Sequence, residues 1–317
     1  MEQVQPIPVQ RKLQKWLRDS MPFWLILPTM LVLFAIQVYP FLYTIWLSVQ
    51  QRKPNGWQFV GFKNFTQLFA TSLFQQSAGL TVVFLVVFVA VSLVSGFCIA
   101  YLLSRPIRFT GLYTTLIFIP WVLSDIIGGE IYRLLVLPSI GVLTAILQNP
   151  HLFPPKGLSV LIDSAPKPWL GGFPFPPAPA LILLILATAW RVLPFITLLL
   201  LASIQMISQE IIESARIDGA NVLEVIWYIM IPIIRPTLVV SVFTLIITGM
   251  NGVGMIFSLT RGGPGQATEI LPWLLYAVGW LQVNFNWAAA LALFMGAINL
   301  LLIVGTLRVT RSEEVNG

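Results

Sequence analysis

Charged side chains inside long apolar segments are the first residues of this chain that could do chemistry. Asp125, Glu130 and Arg133 fall within one apolar segment, and Arg191 falls within another. A charge at the centre of a bilayer costs on the order of 3 kcal/mol when it is unpaired. Asp125 therefore has two possible roles, as a ligand for the hydroxyl groups of a substrate or as an ion-pair partner of Arg191. Glu130 and Arg133 are three residues apart, which predicts a pair on one helix face.

Two amides lie in the last two apolar segments, Asn251 in one and Asn299 in the other. An amide donates and accepts hydrogen bonds, so it can bind substrate hydroxyl groups, while nearby rings such as Phe243 and Phe257 can cover an apolar face of the same ligand. We predict that a substrate pathway passes these residues. The alternative is that each amide only ties two helices together.

The chain offers few residues that could support other kinds of chemistry. The chain contains no Gly-x4-Gly-Lys-Ser/Thr sequence, so it lacks this loop for binding and splitting ATP. His151 has no acidic or cysteine neighbour, and Cys98, the one cysteine, lies in an apolar run. We therefore expect no metal site, no disulfide framework, no nucleophilic triad and no cofactor in this chain.

Composition indicates a membrane protein with several spans. Hydrophobic residues make up 57% of the 317 residues and charged residues 9%, which excludes an ordinary soluble protein. We predict an all-α integral membrane fold with six transmembrane helices at about 21–49, 79–104, 111–135, 179–206, 236–258 and 286–307. A rise of ~1.5 Å per residue along the third span places Asp125 roughly 20 Å above its cytoplasmic end, with Glu130 and Arg133 near the outer boundary.

The spans divide the chain into three parts. Residues 1–20 form a basic amphipathic segment expected to lie on the inner membrane surface, and residues 21–310 form the six-span domain. The run at 21–49 is too long for a signal peptide core and is interpreted as an uncleaved first span. Residues 149–179 are rich in proline and predict an extended external loop. Residues 311–317 are a cytoplasmic tail.

The distribution of basic residues predicts the orientation. Ten basic residues fall on the side of both termini: Arg11, Lys12, Lys15, Arg18, Arg105, Arg108, Arg216, Arg235, Arg308 and Arg311. Six fall on the other side: Arg52, Lys53, Lys63, Lys156, Lys167 and Arg261. Because cytoplasmic loops carry the excess of Lys and Arg, both termini are expected in the cytoplasm. The net charge of +6 therefore reflects the membrane and does not indicate nucleic acid.

A charged segment at 207–235 interrupts the apolar pattern between the fourth and fifth spans. Ser208 can cap a short helix, and Gly219 can supply the left-handed residue that ends it. Asn221 and Glu224 form a capping-box pattern that begins a second helix. The segment therefore predicts a pair of short helices on the cytoplasmic surface.

This segment resembles the cytoplasmic loop, known as the EAA motif, of the permease subunits of binding-protein-dependent ABC importers for sugars and glycerol-phosphate compounds. The matching residues are Glu213, Ala215, Gly219, Ile229 and Pro232. Two positions depart from the usual pattern, Ser214 in place of Ala and Ile231 in place of Leu, and both changes are small. The resemblance implies coupling to an ATPase through Glu213, Ser214, Ala215, Asp218 and Gly219.

Further strings resemble the same permeases in the expected order. Residues 259–269 are similar to the family's external Thr-x-Gly-Gly-Pro-x3-Thr string, and the shared core of that loop is Gly262, Gly263 and Pro264. Residues 61–65 resemble a string of the family's first external loop, and Trp190-Arg191 resembles one in the fourth span. The N-terminal basic segment makes the chain similar to the first permease of the pair.

The resemblance implies partners that this chain does not contain. These are a second homologous permease, two copies of an ATPase that would hold ATP and Mg, and an external solute-binding protein that delivers a carbohydrate. The chain itself would be a non-catalytic subunit in the cell membrane, in contact with lipid. Alternating access would follow the closure of the ATPases.

Two alternatives come from other functional classes. A proton-driven secondary transporter would explain Asp125 and Glu130 but not the charged segment at 207–235. A structural or sensory membrane protein explains neither the charged segment nor the Gly-Gly-Pro string.

Overall fold

The fold was analysed in a computed structural model, which describes residues 21–316 except 22, 107, 139 and 148–177. The predicted N-terminal segment and all but the last two residues of the predicted loop at 149–179 lie outside these residues, as does His151. Helices dominate the described part: α1 (Phe23–Ser48), α2 (Lys63–Ala70), α3 (Ser72–Leu103), α4 (Thr110–Val122), α5 (Asp125–Leu135), α6 (Val142–Leu147), α7 (Pro179–Gln205), α8 (Gln209–Ile217), α9 (Val222–Ile233), α10 (Arg235–Asn251), α11 (Gly254–Leu259), α12 (Leu271–Leu281) and α13 (Phe285–Asn316).

Four helices, α1, α3, α7 and α13, are long and apolar enough to cross a membrane. Two bent pairs, α4 with α5 and α9 with α10, pass the same test when each pair is counted together, which gives up to six spans. The chain is therefore an all-α integral membrane protein with several spans, as predicted. The first and fourth predicted spans agree with α1 and α7, whereas α3 begins seven residues before the predicted start at residue 79.

The third span is not the continuous helix that the sequence suggested. The axes of α4 and α5 differ by 96°. Leu123 and Ser124 are extended, and the Ser124 hydroxyl accepts a hydrogen bond from the amide of Ile127, so a new helix begins there. The helix rise that placed Glu130 and Arg133 near the outer boundary therefore does not apply beyond Leu123, because α5 turns away from the axis of α4.

The fifth span is also interrupted, between Asn251 and Gly254. Gly252 has φ −81° and ψ 106°, which ends α10, and α11 begins two residues later. Helix α11 packs closely against α5, where a Cβ on Gly254 would lie 2.7 Å from the Cβ of Asp125. Gly254 therefore allows another helix of the same chain to come close to α11.

A two-stranded hairpin follows α1, which the all-helical prediction did not include. Strand β1 (Gln50–Lys53) pairs antiparallel with β2 (Gly56–Phe59). Gly56, which follows the turn residues Pro54 and Asn55, has φ 113°, a backbone angle that favours glycine.

Two buried asparagines hold the end of α1. The Asn64 amide donates to the carbonyl oxygens of Ser48 at 2.7 Å and Gln50 at 2.8 Å. Asn286 donates to the carbonyl oxygens of Leu47 at 3.1 Å and Gln50 at 2.6 Å. The string at 61–65 thus has a structural role, because Asn64 satisfies backbone acceptors left free at a helix end.

The main core lies between α3 and α7. Phe88, Leu184 and Leu200 are fully buried there. Gly96 allows the two helices to approach, since a Cβ at this position would lie 2.7 Å from Cγ2 of Ile196. A second apolar cluster joins α2, α10, α12 and α13, and it includes Leu274 and Leu291.

Candidate functional site

The charged segment at 207–235 folds as the predicted pair of helices, α8 and α9. The Ser208 hydroxyl accepts a hydrogen bond from the amide of Glu210 at 3.3 Å, and α8 ends before Gly219, which has φ 91°. Asn221 Oδ1 accepts from the amide of Glu224 at 3.0 Å, and a Glu224 carboxylate oxygen accepts from the amide of Asn221 at 2.7 Å. The capping box therefore has both of its reciprocal bonds.

The predicted coupling residues do not all face the same way. Glu213, Ser214, Asp218 and Gly219 are exposed. Ala215 is half-buried and packs on the main core, so its small side chain faces inward and allows α8 to lie close to the membrane helices. Only the four exposed residues could contact a partner directly.

Apolar side chains on the helix pair are unusually exposed, and sequence reasoning did not single them out. Ile217 is 85% exposed, Leu223 is 66% exposed and Tyr228 is 79% exposed. Large apolar side chains clustered on a surface typically mark a contact with a protein or a membrane. The sequence signal for this surface is the set of apolar residues next to the capping residues. The motif match did not identify them because it rests on other positions of the segment.

The helix pair connects directly to α10. Helices α9 and α10 meet at Ile234, which is fully buried, and their axes differ by 75°. Ser203 near the end of α7 and Thr237 in the first turn of α10 share a hydrogen bond at 2.9 Å. The pair α8 and α9 is therefore joined to the start of α10 through a packed joint.

The charged residues of the third and fourth spans are paired. Arg191 on α7 forms an ion pair with Asp125 at the start of α5, and Glu130 lies 3.5 Å from Arg133. Of the two roles considered for Asp125, the structure contains the ion pair. These contacts account for the acidic residues that had suggested proton transport.

The two predicted amides meet between α10 and α13. Asn299 Nδ2 donates to Asn251 Oδ1 at 3.2 Å, and Asn251 Nδ2 donates to the carbonyl oxygen of Ile247 at 2.7 Å. The interhelical hydrogen bond considered as the alternative is therefore present. Asn251 is nevertheless exposed, so it remains accessible to a ligand.

Two threonines extend the exposed polar surface along α10. Thr244, Thr248 and Asn251 are spaced four and three residues apart, which places them on one helix face. The hydroxyls of Thr244 and Thr248 donate to the carbonyl oxygens of Val240 and Thr244 at 2.8 Å, which leaves their acceptor lone pairs available. Sequence reasoning missed both threonines because threonine is common in apolar helices.

A cavity of about 530 Å³ opens beside Asn251. It lies between α1, α10, α12 and α13, and its walls include Thr44, Tyr276 and Trp280. Its lining combines hydrogen-bonding side chains with aromatic rings, a combination that binds a ligand with hydroxyl groups and apolar faces.

The two predicted aromatic residues lie in different places. The Phe257 ring packs edge-on against Tyr276, with centroids 5.5 Å apart, so it supports the cavity wall. The Phe243 ring lies near Gly305 on α13 and is not among the residues that line the cavity. The structure therefore does not bring Phe243 to the cavity.

The Gly-Gly-Pro string forms a compact turn before α12. Gly262 has φ 81°, and a Cβ there would collide with the indole nitrogen of Trp273. The fully buried Thr268 donates to the carbonyl oxygen of Gly263 at 2.8 Å. The amide of Leu271 donates to the Thr81 hydroxyl at 2.8 Å, which fixes the turn to α3. Gly263 and Pro264 thus belong to a rigid turn.

Within the described residues, no three His, Cys, Asp or Glu side chains come together as a metal site requires. The polar groups near the cavity are amides, hydroxyls and aromatic rings. Such groups bind neutral polar ligands by hydrogen bonds and stacking.

Relatives of known name match most of the chain. The trehalose/maltose transport system permease protein MalF of Thermococcus litoralis is 29% identical over 268 residues, which cover 83% of this chain and 84% of that protein. The sn-glycerol-3-phosphate transport system permease protein UgpA of Rhizobium meliloti is 26% identical over 88% of this chain and 90% of that protein. No model of a known protein family matches the chain.

Solved structures share the fold. A chain of a bacterial ABC transporter involved in the import of the acidic polysaccharide alginate superposes with a TM-score of 0.76 at 20% identity, covering 95% of this chain and 99% of that one. A second structure of a bacterial alginate ABC transporter, in complex with a periplasmic protein bound to an alginate pentasaccharide, gives a TM-score of 0.75. The chain is therefore a homologue of ABC transporter permease subunits along most of its length, and it shares their fold.

Proposed function

We propose that this chain is one of two permease subunits of an ATP-driven importer, and that the substrate is a carbohydrate, polyol or glycerol-phosphate compound. The relatives named for trehalose/maltose and sn-glycerol-3-phosphate transport support this substrate class. The observation that carries the proposal is the exposed, capped pair α8 and α9 joined directly to α10, which bears the polar residues beside the cavity. Three consecutive helices would thus link a docking surface to a ligand-sized cavity.

The proposed complex contains a second homologous permease, two ATPase subunits and an external solute-binding protein. ATP and Mg would be held by the ATPases. The solved alginate importer in complex with its periplasmic protein supports the binding-protein partner. Both termini would be cytoplasmic, with residues 1–20 on the inner surface, residues 21–310 as the permease domain and residues 311–317 as a tail.

The ATPase would dock on α8 and α9. The exposed apolar side chains of Ile217, Leu223 and Tyr228 would enter a groove of the partner, surrounded by the exposed polar groups of Glu213 and Asp218. Closure of the ATPases would push the pair, and the packed joint at Ile234 would transmit the displacement to α10.

The substrate would pass along the exposed face of α10. Asn251 and Thr248 would bind hydroxyl groups, while Tyr276, supported by Phe257, would present its ring surface to the apolar side of the substrate. The second permease would provide the opposite wall, since this face of α10 is exposed in the single chain.

The turn that contains Gly262, Gly263 and Pro264 would contact the external binding protein or line the outer mouth. Gln266 has φ 70° and is exposed on this turn. A photo-crosslinker at Gln266 should capture the binding protein in the ATP-bound state, whereas capture only at other external positions would contradict this assignment.

Co-purification tests the assembly. Tagged wild-type chain should bring down an ATPase and a second permease from mild-detergent extracts. The double variant Leu223→Asp, Tyr228→Asp should lose the ATPase and retain the permease, because a charge buried at the contact has no partner. The matched double control Phe59→Asp, Phe62→Asp changes two exposed apolar residues at the hairpin, on the opposite side of the membrane in this proposal, and should retain the ATPase. Equal ATPase recovery with both variants would contradict the docking surface.

A further inference from the structure

A second cavity, of about 340 Å³, opens between the ends of α3 and α7 and the pair α8 and α9. Its polar lining side chains are Tyr101, Ser104, Arg105, Gln205, Gln209 and Arg216. None of its lining residues carries a carboxylate. The cleft therefore combines two positive charges with neutral hydrogen-bonding groups.

Arg105 is held in place before any ligand arrives. Its guanidinium donates a hydrogen bond to the Tyr101 hydroxyl and lies 4.7 Å from the centroid of the Tyr101 ring. Tyr101 and Arg105 are half-buried, and Ser104 lies beside them at the end of α3. A planar guanidinium fixed in this way loses little conformational freedom when it binds an anion.

Arg216 approaches the same cleft from the last turn of α8. Among the described residues, no carboxylate lies within 4.0 Å of Arg216, although α8 also carries Glu210 and Glu213. Two guanidinium groups that line one cleft repel each other unless an anion lies between them. The acidic residues that are nearest in sequence do not supply that anion.

We propose that this cleft binds an anionic phosphate group, either the headgroup of an anionic phospholipid or a soluble phosphate. Two arginines, two hydroxyls and two amides match phosphate oxygens, which accept several hydrogen bonds, often two from one guanidinium. The cleft lies at the end of α3, a helix that spans the membrane, which places it near headgroup level. The bound group would join the end of α3 to α8.

Native mass spectrometry of the full chain tests the lipid source. The chain is released from nanodiscs of phosphatidylcholine mixed with phosphatidylglycerol, and retained lipids are counted. The wild type should retain phosphatidylglycerol, and Arg216→Gln should weaken retention about tenfold, as expected for one lost charge-assisted contact. Arg105→Gln should act likewise. The matched control Arg52→Gln removes an exposed positive charge from the hairpin and should leave retention unchanged.

A parallel experiment tests the soluble source. Inorganic phosphate is titrated onto the chain in nanodiscs of phosphatidylcholine alone, and the unfolding midpoint is followed. A midpoint that rises in the wild type and in Arg52→Gln but not in Arg216→Gln supports a soluble phosphate. Because Arg216 is exposed, its variant should fold normally. Retention and midpoints that are the same in wild type and Arg216→Gln, or no response to either probe, would overturn the proposal. Neither readout depends on transport.

Discussion

Asn299 on α13 donates a hydrogen bond to Asn251 on α10 across 3.2 Å, and Asn251 still lies at the edge of a cavity of about 530 Å³. Asn251 thus connects two helices through a hydrogen bond and also presents its amide to the cavity. The two roles are separable, because only Asn251 lines the cavity.

Asn251→Ala should leave assembly and ATPase stimulation by the binding protein near normal and reduce carbohydrate uptake several-fold, because it removes a donor and acceptor from the cavity. Uptake is measured in reconstituted vesicles. Asn299→Ala is the matched control, since it deletes the same interhelical bond from the other side. Equal loss of uptake in both variants, together with lower stability, would assign Asn251 to the structural tie alone.

The ion pair of Asp125 and Arg191 predicts a coupled loss of stability. Breaking it with Asp125→Asn or Arg191→Gln should lower the free energy of unfolding by about 1 to 2 kcal/mol, because the other charge is left partly buried. The double variant should lose less than the sum of the two. Chemical unfolding in detergent measures all three. Additive losses would show that the charges do not interact.

Gly219 should be required for its backbone angle. Gly219→Val places a branched side chain at φ 91° and should cost about 1 to 2 kcal/mol, which displaces α9 from α8 and uncouples ATPase activity from the loaded binding protein. Gly219→Asn is the control, since asparagine tolerates left-handed angles. Normal transport by a fully assembled Gly219→Val complex would contradict a coupling role for this turn.

Gly262→Ala should disrupt the outer turn because its Cβ would collide with Trp273. We expect a loss of about 2 to 4 kcal/mol in the free energy of unfolding, from the left-handed angle and the overlap together. Gly61→Ala has a similar positive φ of 57° but open space around its Cβ, and it should cost less. The unfolding midpoints of the two variants test this prediction. Equal shifts would show that Trp273 can move aside without a loss of stability.

Burial raises the pKa of Glu269, next to the outer turn, above its ordinary value of 4.5. The folded chain therefore keeps this proton at pH values where the unfolded chain has lost it. The free energy of unfolding should fall as pH rises from 4.5 through the folded pKa, and Glu269→Gln should remove this decline. Unfolding midpoints across pH 4 to 8 test it (about the range in which buried carboxylates titrate). An unchanged decline in the variant would assign it to another group.

Local signals in the sequence predicted the two helices of the charged segment at 207–235 well. Ser208, Gly219 and the pair Asn221 and Glu224 specify the ends of α8 and α9 through contacts within four residues, so neighbouring residues were sufficient. The same is true of the long apolar helices, whose length and composition alone indicate membrane spans.

The broken spans could not be predicted because their causes are tertiary. The apolar run through Leu123 and Ser124 looks continuous, yet α5 turns by 96° and packs on α11, where Gly254 permits contact with Asp125. The inward orientation of the Ala215 side chain could not be predicted either, because the sequence does not show which side of α8 packs on the core. A role for Thr244 and Thr248 could not be predicted because the sequence does not show which face of α10 is left exposed.

Uptake of a labelled carbohydrate into vesicles tests the central claim most directly. The vesicles contain this chain, its partner permease and the ATPases, with loaded binding protein added on the outer side. We predict that ATP inside the vesicles drives accumulation, that a pH gradient without ATP does not, and that Gly219→Val abolishes it. Accumulation driven by the pH gradient alone, or transport by this chain without the ATPases, would contradict the account.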